Sequence, residues 1–199
     1  MCLKLMASDK FESMFSFVFN PAVMTAFAFI ILMYPLEGVQ ASRVLAICIT
    51  FGTLVPLGMM YHLSKQGLIS DFYVSEKEER AKPFAGAIVS YIVGSVVLLL
   101  VRAPAIVTAL MLCTAGNTVI MMLVTFRWKI SIHASGIAGP VTTLVYATGG
   151  WAAVLFLLLI PVGWARVRLR AHTPWQIFAG ALVTIISTWV QLIIYFSIL

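Results

Sequence analysis

Between Phe84 and Phe126 the chain carries a single charged residue, Arg102, followed two positions later by Pro104. That break divides the stretch into two apolar runs, about Phe84–Val101 and Ala105–Phe126, each within the ~17–25 residues that cross bilayer hydrocarbon as a helix. In hydrocarbon every backbone N–H and C=O must find its partner inside its own segment, so the pair folds as a helical hairpin. The strands of a membrane barrel would alternate apolar and polar residues, and these runs do not. A chain that must contain this hairpin is a polytopic membrane protein, and 62% hydrophobic with 10% charged residues, against about 25% charged in a soluble domain, says the same of the whole.

The same reading extended in both directions gives an all-α bundle of six to seven spanning helices in one integral membrane domain, residues 1–199. Residues 1–13, which mix Lys4, Asp9, Lys10 and Glu12 with Leu3, Leu5 and Phe11, suit the membrane interface. A first anchor follows from about Met14 to Tyr34, too long and without the small-residue site of a cleavable signal. Further helices are expected over about Ala41–Leu63, with a kink at Pro56, and, after Arg127-Trp-Lys129, over about Ile132–Ala147, Trp151–Trp164 and Trp175–Ile198. Gly86, Ser90 and Gly94 form one narrow face for a neighbouring helix, Ser135, Gly136 and Gly139 allow another close approach, and Gly149-Gly150 reverses the chain. Asn117 and Gln191 read as hydrogen-bond links between helices, and His62 as structural.

Alternating crossings place the N-terminus, the 64–83 loop, the 127–133 turn and the 166–175 turn on one side. Eleven of the thirteen basic residues go with them, leaving Arg43 and Arg102 for the other side. By the positive-inside rule that face is cytoplasmic. The net charge of +6 therefore reports topology, and nothing resembles a nucleic-acid module. Cys2, Cys48 and Cys113 lie too far apart to suggest a metal ligand set or a disulfide framework.

Three polar clusters meet on that face: the loop 71–83, the stretch Lys129-Ile-Ser131-Ile-His133, and Arg166-Val-Arg-Leu-Arg-Ala-His172-Thr-Pro-Trp-Gln176. The last two bound one membrane excursion, the hairpin 129–176. Arg or Lys beside His at both of its ends points to an anion site, most simply for phosphate.

These residues resemble the type 2 phosphatidic acid phosphatases, a family that includes lipid phosphate phosphatases, polyprenyl diphosphate phosphatases and vanadium haloperoxidases. Its motifs run Lys-x6-Arg-Pro, Pro-Ser-Gly-His and Ser-Arg-x5-His-x3-Asp. Arg166 and His172 reproduce the Arg-x5-His spacing, Ser131-Ile-His133 the Ser-x-His, and Lys82-Pro83 stands at Arg-Pro. Ser75, Ile130, Ala165 and Gln176 occupy the positions of the family's lysine, proline, serine and aspartate. The resemblance covers roughly residues 75–180.

It implies a metal-independent lipid phosphatase without cofactor, acting on a polyprenyl or isoprenoid phosphate or diphosphate, or on a phosphatidate-type lipid. His172 would be the nucleophile and His133 the general acid. Arg166, Ser131 and a first-motif cation would hold the phosphate oxygens, the cation coming from Lys82, Arg80, Lys129 or Lys77. Four residues past His172, Gln176 shares its helix face, and its amide oxygen could take the imidazole N–H. The substrate would be a lipid phosphate in the bilayer, and homo-oligomerisation is left open. The alternative expectation is a repurposed member, a lipid-phosphate binding protein or a partner subunit of a lipid-modifying enzyme. A prenyltransferase-like enzyme would need paired Asp-rich motifs, which the chain lacks.

Overall fold

The computed structural model describes residues 18–70, 74 and 76–198. Among them the chain forms no strand and, besides a 3-10 turn at Lys77–Glu79, seven helices: α1 (Pro21–Met33), α2 (Val39–Lys65), α3 (Ala81–Leu100), α4 (Ala105–Arg127), α5 (Ile132–Thr148), α6 (Trp151–Arg168) and α7 (Pro174–Ile198). Five of them, α2, α3, α4, α6 and α7, are long and apolar enough to cross a membrane. The interfacial reading of residues 1–13, and Asp71 and Ser75 in the polar loop, lie outside the described residues.

Of the expected Met14–Tyr34 run, residues 14–17 lie outside the described residues, and helix α1 begins at Pro21. The expected run from Met14 is interrupted at Phe19-Asn20, because Pro21 disfavours a helical Asn20, which is extended at φ −61 and ψ 138. Asn20 caps the helix instead, its Oδ1 accepting the Ala22 N–H at 3.0 Å, with Pro21 in the first turn where no N–H is needed.

Pro56 does perturb α2, through the turn before it. Residues Thr50–Leu54 are wound as a π-helix, so that Val55 N–H reaches back five residues to Thr50 O. In that register the next carbonyl, Phe51 O, would belong to Pro56, which has no N–H. Ser90 of α3 fills the gap, its hydroxyl donating to Phe51 O at 2.7 Å. The face of α3 that carries Ser90 is the narrow one: a Cβ on Gly94 would lie 2.6 Å from Phe51 Cβ, and one on Gly86 would overlap Met59.

Helix α6 departs from α geometry as well. Trp151–Leu158 is a 3-10 helix and Leu159–Arg168 is α-helical. At about 2.0 Å per residue in the first part and about 1.5 Å in the second, these 18 residues reach about 31 Å, near the ~30 Å of bilayer hydrocarbon. Gly149 and Gly150, both at positive φ (76 and 102), make the reversal from α5.

Helix α5 is the axis of the bundle, in contact with α1, α4, α6 and α7. Its small residues explain why: a Cβ on Gly136 would lie 2.5 Å from Pro21, and one on Gly139 3.1 Å from Asn117. From His133 to Leu144 only Gly136 is not fully buried. Around this axis the outer faces remain apolar, as with Val89, Val93 and Val96 on α3 or Phe178, Leu182 and Ile186 on α7, surfaces suited to lipid. Asn117 links α4 to α7 as expected: its Nδ2 donates to Thr188 Oγ1 at 2.7 Å, and its Oδ1 accepts from Ser187 Oγ at 2.6 Å and Gln191 Nε2 at 3.1 Å.

Candidate anion site at one end of the bundle

The turn between α4 and α5 supplies the centre of the site through a backbone atom. Trp128 is extended (φ −144, ψ 133), which ends α4 and carries the chain through Lys129 and Ile130 to Ser131, the N-cap of α5. Ser131 is fully buried; its Oγ accepts Ala134 N–H at 3.4 Å and its own N–H donates to Gln176 O at 3.2 Å. The fit between this turn and α7 depends on Gly180, where a Cβ would stand 2.5 Å from Ser131 O.

The carbonyl of Ile130 then accepts two side chains. Arg80 Nη1 donates to it at 3.0 Å, and Arg80 Nε donates to Val74 O at 3.1 Å. Val74 holds its carbonyl there at φ 48, a left-handed conformation unusual for a β-branched residue. The second donor to Ile130 O is His172 Nε2, at 3.3 Å. A carbonyl only accepts, so this nitrogen carries the proton of the neutral ring and Nδ1 carries the lone pair. Nδ1 is buried and has no hydrogen-bond partner among the described residues.

His172 reaches this position through the way α6 ends. Arg170 adopts φ 51 just past the helix, and Ala171 and His172 N–H turn back to Arg166 O at 3.0 and 3.3 Å. Arg166 thus sits buried in the last turn, with the imidazole folded back beside it. Burial, then the charges of Arg166, Arg80 and Lys129, press the His172 pKa down from 6.5 to about 3, against the opposing effect of the hydrogen bond it donates to Ile130 O. The ring is neutral at physiological pH.

The structure therefore brings His172, Arg166, Arg80, Lys129 and the backbone of Ser131 together. It places others elsewhere. Lys82 is exposed on the first turn of α3, and Lys77 pairs with Glu78 at 3.8 Å in the loop, so the buried cation of this segment is Arg80. Glu79, in the same loop, accepts from Ser70 N–H and Oγ at 2.7 and 2.9 Å. Gln176 does not orient His172. Its Oε1 accepts Thr173 N–H at 3.0 Å while Thr173 Oγ1 accepts Gln176 N–H at 3.3 Å, a reciprocal capping box at the start of α7.

His133, buried in the first turn of α5, lines a cavity of about 110 Å³ that runs into the bundle between α1, α2, α3, α4 and α5. Arg80 lines the same cavity and also holds Ile130 O, so it joins the two histidine regions. Sequence reasoning missed Ile130 O, because any residue would bring a carbonyl there. It also missed Asn20 at the mouth of the cavity, although Asn-Pro before an apolar run is a cap signal. Comparison of the chain with family models, curated proteins and solved structures finds no match.

Proposed function

We propose that this protein is an integral membrane phosphatase of a lipid phosphate, with the cluster around His172 as its reaction centre on the cytoplasmic side. The observation that carries this reading is the convergence of Arg80, Arg166 and Lys129 on one neutral, buried imidazole. Guanidinium forks match pairs of phosphate oxygens and hold the charge that builds on them in transfer. A neutral imidazole with a free lone pair is a competent nucleophile.

The lone pair of His172 Nδ1 forms the N–P bond as the bond from phosphorus to the lipid oxygen breaks. The leaving oxygen takes a proton from His133, acting as general acid. Water then attacks the phosphohistidine, passes its proton to His133 and releases inorganic phosphate, restoring the His172 lone pair. No step calls for a metal or cofactor. The cytoplasmic assignment rests on the basic residues gathered at this end, Lys65, Lys77, Arg80, Lys82, Arg127, Lys129, Arg166, Arg168 and Arg170.

Detergent-purified protein is expected to release phosphate from a lipid phosphate such as a polyprenyl phosphate in the presence of a chelator, and His172→Ala to lower the rate at least about a hundredfold. Full activity in that variant overturns the assignment. One observation favours a second reading, a lipid-phosphate binding protein: Gln176 is used by its cap, and no carboxylate among the described residues hydrogen-bonds His172. That reading expects lipid phosphate to bind without turnover, and Arg80→Ala to weaken the binding.

A further inference from the structure

The cavity that begins at Arg80 and His133 has a definite depth. Its lining runs from Pro83 to Tyr91 on α3, from Met121 back to Thr114 on α4, and from His133 to Pro140 on α5. Seven or eight residues at 1.5 Å each give about 10–12 Å on three separate helices. Volume fixes the width: about 110 Å³ is the space open to the centres of water-sized spheres, and spread over that depth it is a column about one such sphere across beyond its own radius, room for one hydrocarbon chain abreast and not two.

The wall looks more polar in sequence than it is. Thr25, Thr114 and Thr118 line the cavity, but their hydroxyls donate to carbonyls one turn back on their own helices, Pro21 O, Leu110 O and Thr114 O, at 2.9, 2.8 and 2.7 Å. Ser135 Oγ accepts from Thr184, and the Asn117 amide is engaged with α7. With those donors turned away, an occupant meets methyl groups, the Phe84 ring and the side chains of Met60 and Met121. Tyr91, 5% exposed, closes the far end, where it packs into the core with Phe29, Met111 and Ala115.

We propose that this cavity takes the first part of a single hydrocarbon chain of the anionic lipid whose phosphate lies against Arg80, and that Tyr91 sets how far the chain reaches. This rests on reading the Arg80 cluster as a phosphate site. It adds a selection by chain: one-chain phosphates such as isoprenoid or monoalkyl phosphates are accepted, and two-chain phosphatidates are not. Ala87, halfway along the α3 wall, is where a larger side chain would block entry.

The test uses phosphonates, which bind without being hydrolysed, so binding is read apart from turnover. The full chain in lipid nanodiscs is heated with inorganic phosphate, octylphosphonate, hexadecylphosphonate or a diacyl phosphonate analogue of phosphatidate. Octylphosphonate is expected to raise the unfolding temperature by several degrees more than phosphate alone or the two-chain analogue. Ala87→Leu is expected to remove that chain-dependent part and keep the response to phosphate. Tyr91→Ala is expected to shift the preference toward hexadecylphosphonate; should it fail to fold, Ala87→Leu carries the test. Equal shifts from one- and two-chain phosphonates, or a chain-dependent shift that survives in Ala87→Leu, overturn the chain selection and leave the phosphatase reading standing. No shift from phosphate or from any phosphonate overturns both.

Discussion

At the scale of single residues, His172 ties stability to pH. Its ordinary pKa near 6.5 applies to the unfolded chain, while in the folded protein burial and three cations hold it near 3. Between those values the unfolded state takes up a proton that the folded state refuses, so stability is fully present above about pH 6.5 and falls on acidification, by at most about 1.4 kcal/mol per pH unit. His172→Gln keeps an N–H for Ile130 O but cannot titrate. Thermal unfolding followed from pH 7 to pH 4 is expected to show a shallower decline for this variant than for the wild type; parallel curves would mean that His172 is not held neutral. At the same scale, sequence spacing singled out Arg166, His133 and His172, and all three are buried at this end of the bundle. It did not separate Arg80 from Lys82, because both are cations within three residues of Pro83 and only the packing of the turn decides which one points inward. The fate of Gln176 was equally hidden: an amide four residues after a histidine serves the ring or the helix cap, and Thr173 completes the cap.

At the scale of elements, helix positions were legible because the length of an apolar run and its charged ends suffice to mark them. Six of the seven helices begin and end within about four residues of where hydropathy places them, and α1 differs at its start because Asn20-Pro21 overrides it. The π turn of α2 and the 3-10 half of α6 were not legible, since winding leaves no mark on hydropathy. Small residues were informative: Gly86, Ser90 and Gly94 do meet α2. Gly180 is the element-level position that matters most to the site. Gly180→Ala places a methyl against Ser131 O and must push α7 away from the α4–α5 turn, at a cost of about 1–3 kcal/mol by overpacking. The variant is expected to unfold at lower temperature and to lose lipid-phosphate binding, whereas Gly58→Ala, with open space at its Cβ, leaves both unchanged.

At the scale of the whole molecule, α5 is enclosed and the outer helices are held around it by close backbone approach and a few polar links. Asn117 is the largest of these links, with three side-chain hydrogen bonds to α7. Bonds of this kind inside membrane proteins contribute roughly 0.6 kcal/mol each, so Asn117→Leu is expected to cost about 2 kcal/mol, measured by denaturant unfolding in micelles. An unchanged midpoint would show that glycine packing alone holds α4 to α7. The winding of α6 has a mechanical consequence for this assembly. Relaxing its eight 3-10 residues, Trp151–Leu158, to α geometry would shorten the helix by about 4 Å and turn its far end by about 160°. Arg166 would then swing off His172. The reach of that guanidinium is thus set by the pitch of residues near the opposite surface, and it makes the span of the surrounding bilayer a quantity to which the His172 cluster is geared.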